Sequence, residues 1–119
     1  MLKASCHCGK VKWTLKTRPE FLVLCNCSIC RRLGTRWTHN KAAMIDFDYK
    51  PDEVNRYIWG DKEIAFVSCK TCGCTTHWES LKADYDRHGL NCNMVDPKDL
   101  VGLRERRFDG AETFQFIDP

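Results

Sequence analysis

The chain has 119 residues, a net charge of +3 and 43% hydrophobic residues. This length suits one domain over residues 1–119, and the hydrophobic content is enough for a globular chain. The charge is lower than that of a dedicated nucleic-acid-binding protein. The N-terminal residues lack the apolar run of a signal peptide, and no segment is apolar enough to span a membrane, so we expect a cytoplasmic protein without a membrane partner.

Strand patterns dominate the chain. Residues 10–16 alternate strictly between polar and apolar side chains, which places Val11, Trp13 and Leu15 on one face. Further strands are predicted, in chain order, at residues 21–24, 37–47, 56–59, 63–68, 75–79, 90–95 and 114–116. No long helical periodicity is present, so the sequence predicts a mainly β fold.

Three short segments are predicted to turn or to form helical turns. Residues 31–36 are basic, contain a glycine and predict a loop or one turn of helix. Residues 50–53 contain a proline and predict a turn. Asp96 followed by Pro97 resembles the start of a helix, with the aspartate as N-cap.

Nine cysteines provide the main chemical signal. They are Cys6 and Cys8; Cys25, Cys27 and Cys30; Cys69, Cys72 and Cys74; and the separate Cys92. An odd number cannot pair completely within the chain, and a reducing compartment favours metal binding over disulfides. The first pair and the Cys69–Cys72 knuckle together supply four thiolates. Four thiolates fill the coordination sphere of zinc, so such a site is structural.

The middle cluster supplies only three thiolates at a spacing that can face one ion. The fourth ligand can be water, a substrate sulfur or another side chain. The protein candidates are His39, Cys74, His77 and Cys92. Lone histidines are more often surface or core residues than ligands, and Cys92 reads as a packed thiol. Cys74 is kept as a possible extra metal ligand, since it directly follows the knuckle.

Several motifs resemble the glutathione-dependent formaldehyde-activating enzyme family, which includes centromere protein V. They are Cys6-His-Cys-Gly, Cys25-Asn-Cys-Ser-Ile-Cys-Arg-Arg, Phe66-x-x-Cys-x-x-Cys-Gly and, near the end, Phe108-Asp-Gly-Ala. The resemblance implies a zinc-stabilised β-tent with two zinc ions. By position, it implies that Cys6, Cys8, Cys69 and Cys72 are structural ligands. It implies that Cys25, Cys27 and Cys30 hold a catalytic-type zinc.

The resemblance also implies an activity. The family joins formaldehyde to glutathione, which is a carbon–sulfur lyase reaction in reverse, as in an S-(hydroxymethyl)glutathione synthase. The expected partners are therefore a small thiol such as glutathione and a small aldehyde. Arg31 and Arg32 follow Cys30 directly and can offset the negative charge of a thiolate-rich zinc or hold a glutathione carboxylate. The competing interpretation is that both arginines are solvated surface charges.

Two alternatives to an enzyme remain open at this stage. The first is a non-catalytic, zinc-supported module that binds nucleic acid or protein, with Trp37 and Trp59 stacking on bases and scattered arginines supplying charge. Acidic residues interrupt the basic segment near the C-terminus, which disfavours nucleic acid as the partner. The second is a redox or metal-buffering role for the middle cluster.

Overall fold

The computed structural model describes residues 1–118 of the chain. Within these residues the chain forms ten strands and one α-helix, joined by short 3-10 turns. The strands are β1 Leu2–Ser5, β2 Lys12–Leu15, β3 Phe21–Cys25, β4 Trp37–Asn40, β5 Ile45–Asp48, β6 Val54–Ile58, β7 Ile64–Cys69, β8 Thr75–Ser80, β9 His88–Asn91 and β10 Arg104–Phe108. The helix, α1, spans Ser28–Leu33. The prediction of a mainly β fold is confirmed.

The strands form two sheets. The smaller sheet has the order β1-β2-β5, and the larger has the order β10-β3-β4-β9-β8-β7-β6. Neighbouring strands are antiparallel except for β10, which pairs with β3 in parallel and brings Phe108 opposite Cys25. The chain therefore returns from its C-terminal third to the strand that leads into the middle cysteine cluster.

The main apolar core lies between the two sheets. The alternation predicted for residues 10–16 is observed, because Val11, Trp13 and Leu15 are all at most 1% exposed. Trp13 and Leu15 pack in one cluster with Leu90 of the larger sheet, and Val11 packs in a second cluster with Val54 and Val67 of the same sheet. The buried indole N–H of Trp13 donates to the Thr76 carbonyl at 3.0 Å, so burial of this ring leaves no hydrogen-bond donor unpaired.

Two predicted strands were wrong. Residues 37–47 form two strands in different sheets, β4 and β5, because a 3-10 turn at Ala42–Met44 redirects the chain. Residues 114–116 do not form a strand; Phe116 makes only a single bridge to Phe108. The last strand is β10, which the sequence pattern did not reveal because it is an arginine-rich edge strand with no fully buried residue.

The helix α1 is longer than the single predicted turn. It begins after Cys27 and ends at Gly34, whose φ of 68° lies in the left-handed region and whose N–H donates to the Cys30 carbonyl at 2.9 Å. Within residues 1–118, no helix is long and apolar enough to cross a membrane.

Candidate metal centres

Four cysteines from distant parts of the chain meet at one end of the molecule. Cys6, Cys8, Cys69 and Cys72 place their sulfur atoms within 4.8 Å of one another, and we call them the four-cysteine cluster. The Cys8 sulfur lies 3.7 Å from that of Cys6 and 3.5 Å from that of Cys69. Sulfur atoms about 3.8 Å apart are expected around a tetrahedral zinc with bonds of about 2.3 Å. These two spacings therefore match those expected around zinc.

Tight turns aim the sulfur atoms of the four-cysteine cluster inward. The Gly73 N–H donates to the Cys69 carbonyl at 2.8 Å, and Gly73 has a φ of 80°, which favours glycine. Backbone N–H groups also point at sulfur, including that of Val11, which lies 3.3 Å from the Cys6 sulfur. Hydrogen bonds from the backbone of Cys74, then of Cys8, lower the pKa of Cys72 to about 5. These backbone donors thus stabilise the thiolate form of Cys72, which is the form that binds a metal.

The other three clustered cysteines meet around the junction of β3 and α1. Cys25 ends the strand, Cys27 is the N-cap of the helix and Cys30 lies in its first turns. Their sulfur atoms also lie within 4.8 Å of one another, and we call them the three-cysteine cluster. The cluster lies on the larger sheet against an apolar group that includes Trp37 and Phe66.

Three N–H groups face the sulfur atoms of the three-cysteine cluster. The Trp37 indole N–H donates to the Cys30 sulfur at 3.3 Å, and the Cys27 N–H donates to the Cys25 sulfur at 3.5 Å. The Gly110 backbone also donates to Cys25. The hydrogen bond from the Cys30 thiol is the largest cause that lowers the pKa of Cys25 to about 6, and the same contact raises the pKa of Cys30. These donors disperse negative charge without a cationic side chain.

The loop after β10 lies over the three-cysteine cluster and is fastened by Asn26. The Asn26 N–H donates to the Phe108 carbonyl at 3.2 Å, and its side-chain amide donates to Asp109 at 3.0 Å. The Asn26 side-chain oxygen accepts from the Ala111 N–H at 3.0 Å. This asparagine, set between two cluster cysteines, thus ties the C-terminal loop to the cluster. Sequence reasoning did not single it out.

None of the predicted fourth ligands joins the three-cysteine cluster. Among residues 1–118, no further cysteine, histidine or acidic side chain brings a ligand atom into that group. Cys92 is fully buried in the core between the sheets. His39 contacts Trp78, with ring centroids 5.6 Å apart. Cys74 packs near the four-cysteine cluster but is outside the group of four sulfurs.

His77 belongs to a buried polar network on another part of the larger sheet. Its Nδ1 lies 2.9 Å from the Thr76 hydroxyl and its Nε2 lies 3.0 Å from Glu79. Glu79 also accepts from Tyr49 and pairs with Arg56 at 2.8 Å. Burial lowers the pKa of His77, and the hydrogen bond from His77 is the largest cause that lowers the pKa of Glu79 to about 2. Sequence reasoning missed this network, although histidine and glutamate two residues apart on a strand share a face.

The two arginines after Cys30 have different surroundings. Arg31 is exposed on α1. Arg32 donates to the Ser28 carbonyl at 2.7 Å and lines a cavity of about 200 Å³ beside Tyr57 and Trp59. Both arginines lie on the helix that carries Cys30.

The aromatic and basic residues considered for nucleic-acid binding are mostly engaged within the fold. Trp37 is 2% exposed, so its face is not available to a base, whereas Trp59 is 41% exposed. Arg36 pairs with Glu105 at 3.0 Å, and Arg106 pairs with Asp118 at 3.0 Å. Trp37 and Trp59 therefore cannot both stack on bases, as the nucleic-acid-binding hypothesis requires.

The two clusters differ in what they can do chemically. The four-cysteine cluster offers a complete set of ligands to one ion, which suits a structural site. No fourth cysteine, histidine or carboxylate among residues 1–118 joins the three-cysteine cluster, so three sulfur donors are available there for a tetrahedral metal that takes four. Thiolate donors suit zinc in both cases.

Comparison with known proteins agrees with this geometry. The family model described as glutathione-dependent formaldehyde-activating enzyme matches residues 1–102. A crystal structure of a Rhodobacter sphaeroides protein superimposes with a TM-score of 0.70 at 26% identity, covering 87% of this chain and 99% of that one. The family match includes all seven cysteines of the two clusters. The chain belongs to the glutathione-dependent formaldehyde-activating enzyme family.

Proposed function

We propose that this protein adds a small thiol of the glutathione type to a small aldehyde such as formaldehyde, reversibly. The observation that carries the proposal is the three-cysteine cluster, which gathers three sulfur donors without a fourth protein ligand from residues 1–118. Membership of the family supports glutathione and formaldehyde as the substrates. The reverse direction makes the protein a carbon–sulfur lyase.

The two clusters have different roles in this proposal, one structural and one catalytic. Cys6, Cys8, Cys69 and Cys72 hold a structural zinc, and the remaining three clustered cysteines hold a catalytic-type zinc. Thiolate donors support zinc at both places, and the Cys8–Cys6 and Cys8–Cys69 sulfur spacings match zinc coordination in the four-cysteine cluster. Two zinc ions per chain are therefore expected. Cys74 has no ligand role in this arrangement.

The chemistry proposed at the three-cysteine cluster balances simply. When bound, zinc supplies a Lewis acid that lowers the pKa of a thiol. A bond forms between the thiol sulfur and the carbonyl carbon, and the proton lost by the thiol ends on the carbonyl oxygen. The product is a hemithioacetal, and the reverse reaction breaks the same carbon–sulfur bond. No oxidant or reductant is needed.

The residues around the cluster have specific tasks in this reaction. The N–H groups of Trp37 and Gly110 reduce the electron density on the cysteine sulfurs, which moderates the charge of a thiolate-rich site. Arg31 and Arg32, beside Cys30, add positive charge on the helix side. The apolar group beneath the cluster, which includes Phe66, excludes water from one side.

The experiment is a measurement of exchange between formaldehyde and its glutathione adduct by ¹³C NMR, because this equilibrium is also reached without a catalyst. Zinc-loaded wild-type protein is expected to accelerate the exchange, and Cys27→Ser is expected to lose the acceleration while keeping the wild-type circular dichroism spectrum. No acceleration by fully zinc-loaded wild-type protein would refute the proposed function.

A further inference from the structure

A cavity of about 420 Å³ lies on the larger sheet, and its volume is within the usual range for small-molecule sites. Its charged residues precede β3 or β9, and the antiparallel order β3-β4-β9 brings the starts of these two strands to the same end of the sheet. Phe21 begins β3 and lines the cavity, whereas Cys25 ends the strand. A strand rises about 3.3 Å per residue, so these two residues are about 13 Å apart along β3. The charged part of the cavity is therefore separate from the three-cysteine cluster.

The cavity carries two arginines without acidic partners. Arg18 and Arg87 both line it, and within residues 1–118 neither forms an ion pair. Asp86, the acid next to Arg87 in sequence, is engaged elsewhere. It accepts from the Ala42 N–H at 2.9 Å and lies 3.2 Å from Nε2 of His88. The charges of both arginines thus stay available to a ligand.

Arg18 is fixed at the cavity by the main chain. It donates to the carbonyls of Asp99 and Val101 at 2.9 and 2.8 Å. These bonds use only part of its donor capacity, because a guanidinium has five N–H groups. Glu20 is the one acidic residue among the lining side chains described, and it is exposed and forms no ion pair with either arginine. The charge of the lining is therefore positive.

His39 adds a neutral hydrogen-bonding group to the cavity. It lines the cavity and packs against Trp78, with ring centroids 5.6 Å apart. Burial, and then the charge of Arg87, lowers the pKa of His39 to about 3, so the imidazole is neutral at pH 7. Among residues 1–118, no side chain or carbonyl forms a hydrogen bond with its ring nitrogens. A neutral imidazole has one N–H donor, so His39 can donate to a bound anion.

The apolar wall of the cavity includes two phenylalanines that hold each other in place. The ring of Phe116 packs edge-on against that of Phe21, with centroids 5.8 Å apart. The guanidinium carbon of Arg106 lies 3.8 Å from the centroid of Phe116, and Arg106 pairs with Asp118 at 3.0 Å. Both phenylalanines line the cavity together with Val23. The cavity therefore offers an apolar surface for an organic group beside its cationic part.

We propose that this cavity binds a phosphate monoester, with Arg18 and Arg87 holding the phosphate and the two phenylalanines contacting the organic part. A phosphate monoester carries a charge of about −1.5 to −2 at pH 7 and has three strong acceptor oxygens. These oxygens match two guanidinium groups and the N–H of His39, whereas a carboxylate has only two oxygens. The site does not depend on the proposed function, since the charged part of the cavity lies about 13 Å or more along β3 from Cys25.

The test measures binding of phenyl phosphate to zinc-loaded protein by titration calorimetry. Wild-type protein is expected to bind it, and Arg87→Gln is expected to weaken binding about tenfold or more, with unchanged zinc content and circular dichroism. Arg18→Gln is expected to act in the same direction. Arg107→Gln is the matched control, since this exposed arginine does not line the cavity. Absence of binding to wild-type protein, or equal weakening by Arg107→Gln and Arg87→Gln, would overturn the proposal.

Three further ligands identify the chemistry of the site. Inorganic phosphate is expected to bind more weakly than phenyl phosphate, because it has no organic part to contact Phe21 and Phe116; equal affinities would show a site for free phosphate and contradict the proposal. Benzoate carries a carboxylate on the same ring, and binding as tight as that of phenyl phosphate would show that the assigned class is wrong. Excess glutathione should leave phenyl phosphate bound, and its displacement would assign the cavity to the thiol substrate instead. No thiol reacts with an aldehyde in these measurements, so their failure is distinguishable from failure of the proposed function.

Discussion

Gly110 lies directly against Cys25: a methyl group added to this glycine would come within 2.6 Å of the Cys25 sulfur. The same methyl group would lie 3.3 Å from the Cβ of Cys27. Parallel pairing of β10 with β3 brings these residues together, since it places Phe108 opposite Cys25. The C-terminal loop therefore forms one wall of the three-cysteine cluster, and that wall has room only for glycine.

Gly110→Ala is accordingly expected to weaken metal binding at the three-cysteine cluster. The added methyl group must push the Cys25 sulfur or the loop away, and either movement disturbs the sulfur geometry or removes the Gly110 N–H donor. Losing such support around a metal typically costs 10–100-fold in affinity. Competition with a chromophoric chelator would show one site weakened by about that factor and the other unchanged.

Gly102→Ala is the control for this experiment. Gly102 has a φ of 85°, so alanine strains the backbone there, but its methyl group would meet nothing within 4 Å. This variant is expected to lose stability and to keep both metal affinities. If Gly110→Ala binds two metal ions as tightly as the wild type, the loop does not constrain the cluster.

Trp37→Phe tests the hydrogen bond to the cluster directly. The variant removes the indole N–H that lies 3.3 Å from the Cys30 sulfur, so we expect metal affinity at this site to fall about 10-fold or more. Trp13→Phe is a matched control, because it removes an equally buried indole whose N–H donates to the Thr76 carbonyl instead. Both variants are expected to be less stable, but only Trp37→Phe should change cobalt or zinc affinity. Equal metal affinities in the two variants would contradict the role assigned to Trp37.

The cysteine spacing was sufficient to predict how the sulfurs group, but the surroundings of the groups were not predictable. Cys8 and Cys69 are 61 positions apart, yet their sulfur atoms lie 3.5 Å apart. Their grouping was predictable because a structural zinc needs four ligands. The contact of Gly110 with Cys25 depends on the pairing of β10, an edge strand whose arginines show no alternation of apolar residues. Alternating apolar residues reveal a strand only when one of its faces is buried. An exposed edge strand lacks this alternation and is not predicted from it.

His77 shows a second limit of the same kind. A histidine near a zinc knuckle is a reasonable candidate ligand in sequence, but its side chain lies on the β8 face that holds Glu79, where it packs against Tyr49. The face is set by the register of β8, and that register shifts at Thr76, an extra β8 residue between the pairs Ser68–Thr75 and Val67–His77. Sequence alone does not reveal such a bulge.

Glu79→Gln is expected to lower the free energy of unfolding by about 1–3 kcal/mol. The amide keeps one acceptor oxygen for His77 and Tyr49 but places an NH2 group opposite Arg56, and it removes the negative charge that these partners share. The lowered pKa of Glu79, about 2, means that its charge stabilises the fold above about pH 4.5 and loses this effect as the pH falls towards 2. Urea unfolding of zinc-loaded protein at pH 7 would measure the difference.

Glu63→Gln gives the comparison for Glu79→Gln. Glu63 pairs with Lys82 at 3.4 Å, and both side chains are more than two-fifths exposed, so the loss should be within about 0.5 kcal/mol. Both variants should retain their zinc, since neither carboxylate lies in a cysteine cluster. Equal stability losses in the two variants would show that the buried network contributes no more than a surface pair.

Cys27→Ser and Cys72→Ser should have different consequences because the two clusters connect different parts of the fold. Cys72 belongs to a site that links the turn after β1 to the turn after β7, and structural zinc contributes about 10 kcal/mol or more of apparent binding energy in small domains. That amount is comparable to the whole free energy of unfolding of a domain, so the Cys72→Ser variant is expected to unfold or become insoluble.

Cys27 lies at the junction of β3 and α1, which the sheet and the hydrogen bonds of Asn26 also hold in place. The Cys27→Ser variant should therefore remain folded and lose about one zinc per chain, as measured by mass spectrometry. Cys92→Ala, which removes a buried thiol outside both clusters, should keep the full zinc content. The proposed division between a structural and a catalytic-type site fails if Cys27→Ser and Cys72→Ser lose the same amount of zinc and of circular dichroism signal.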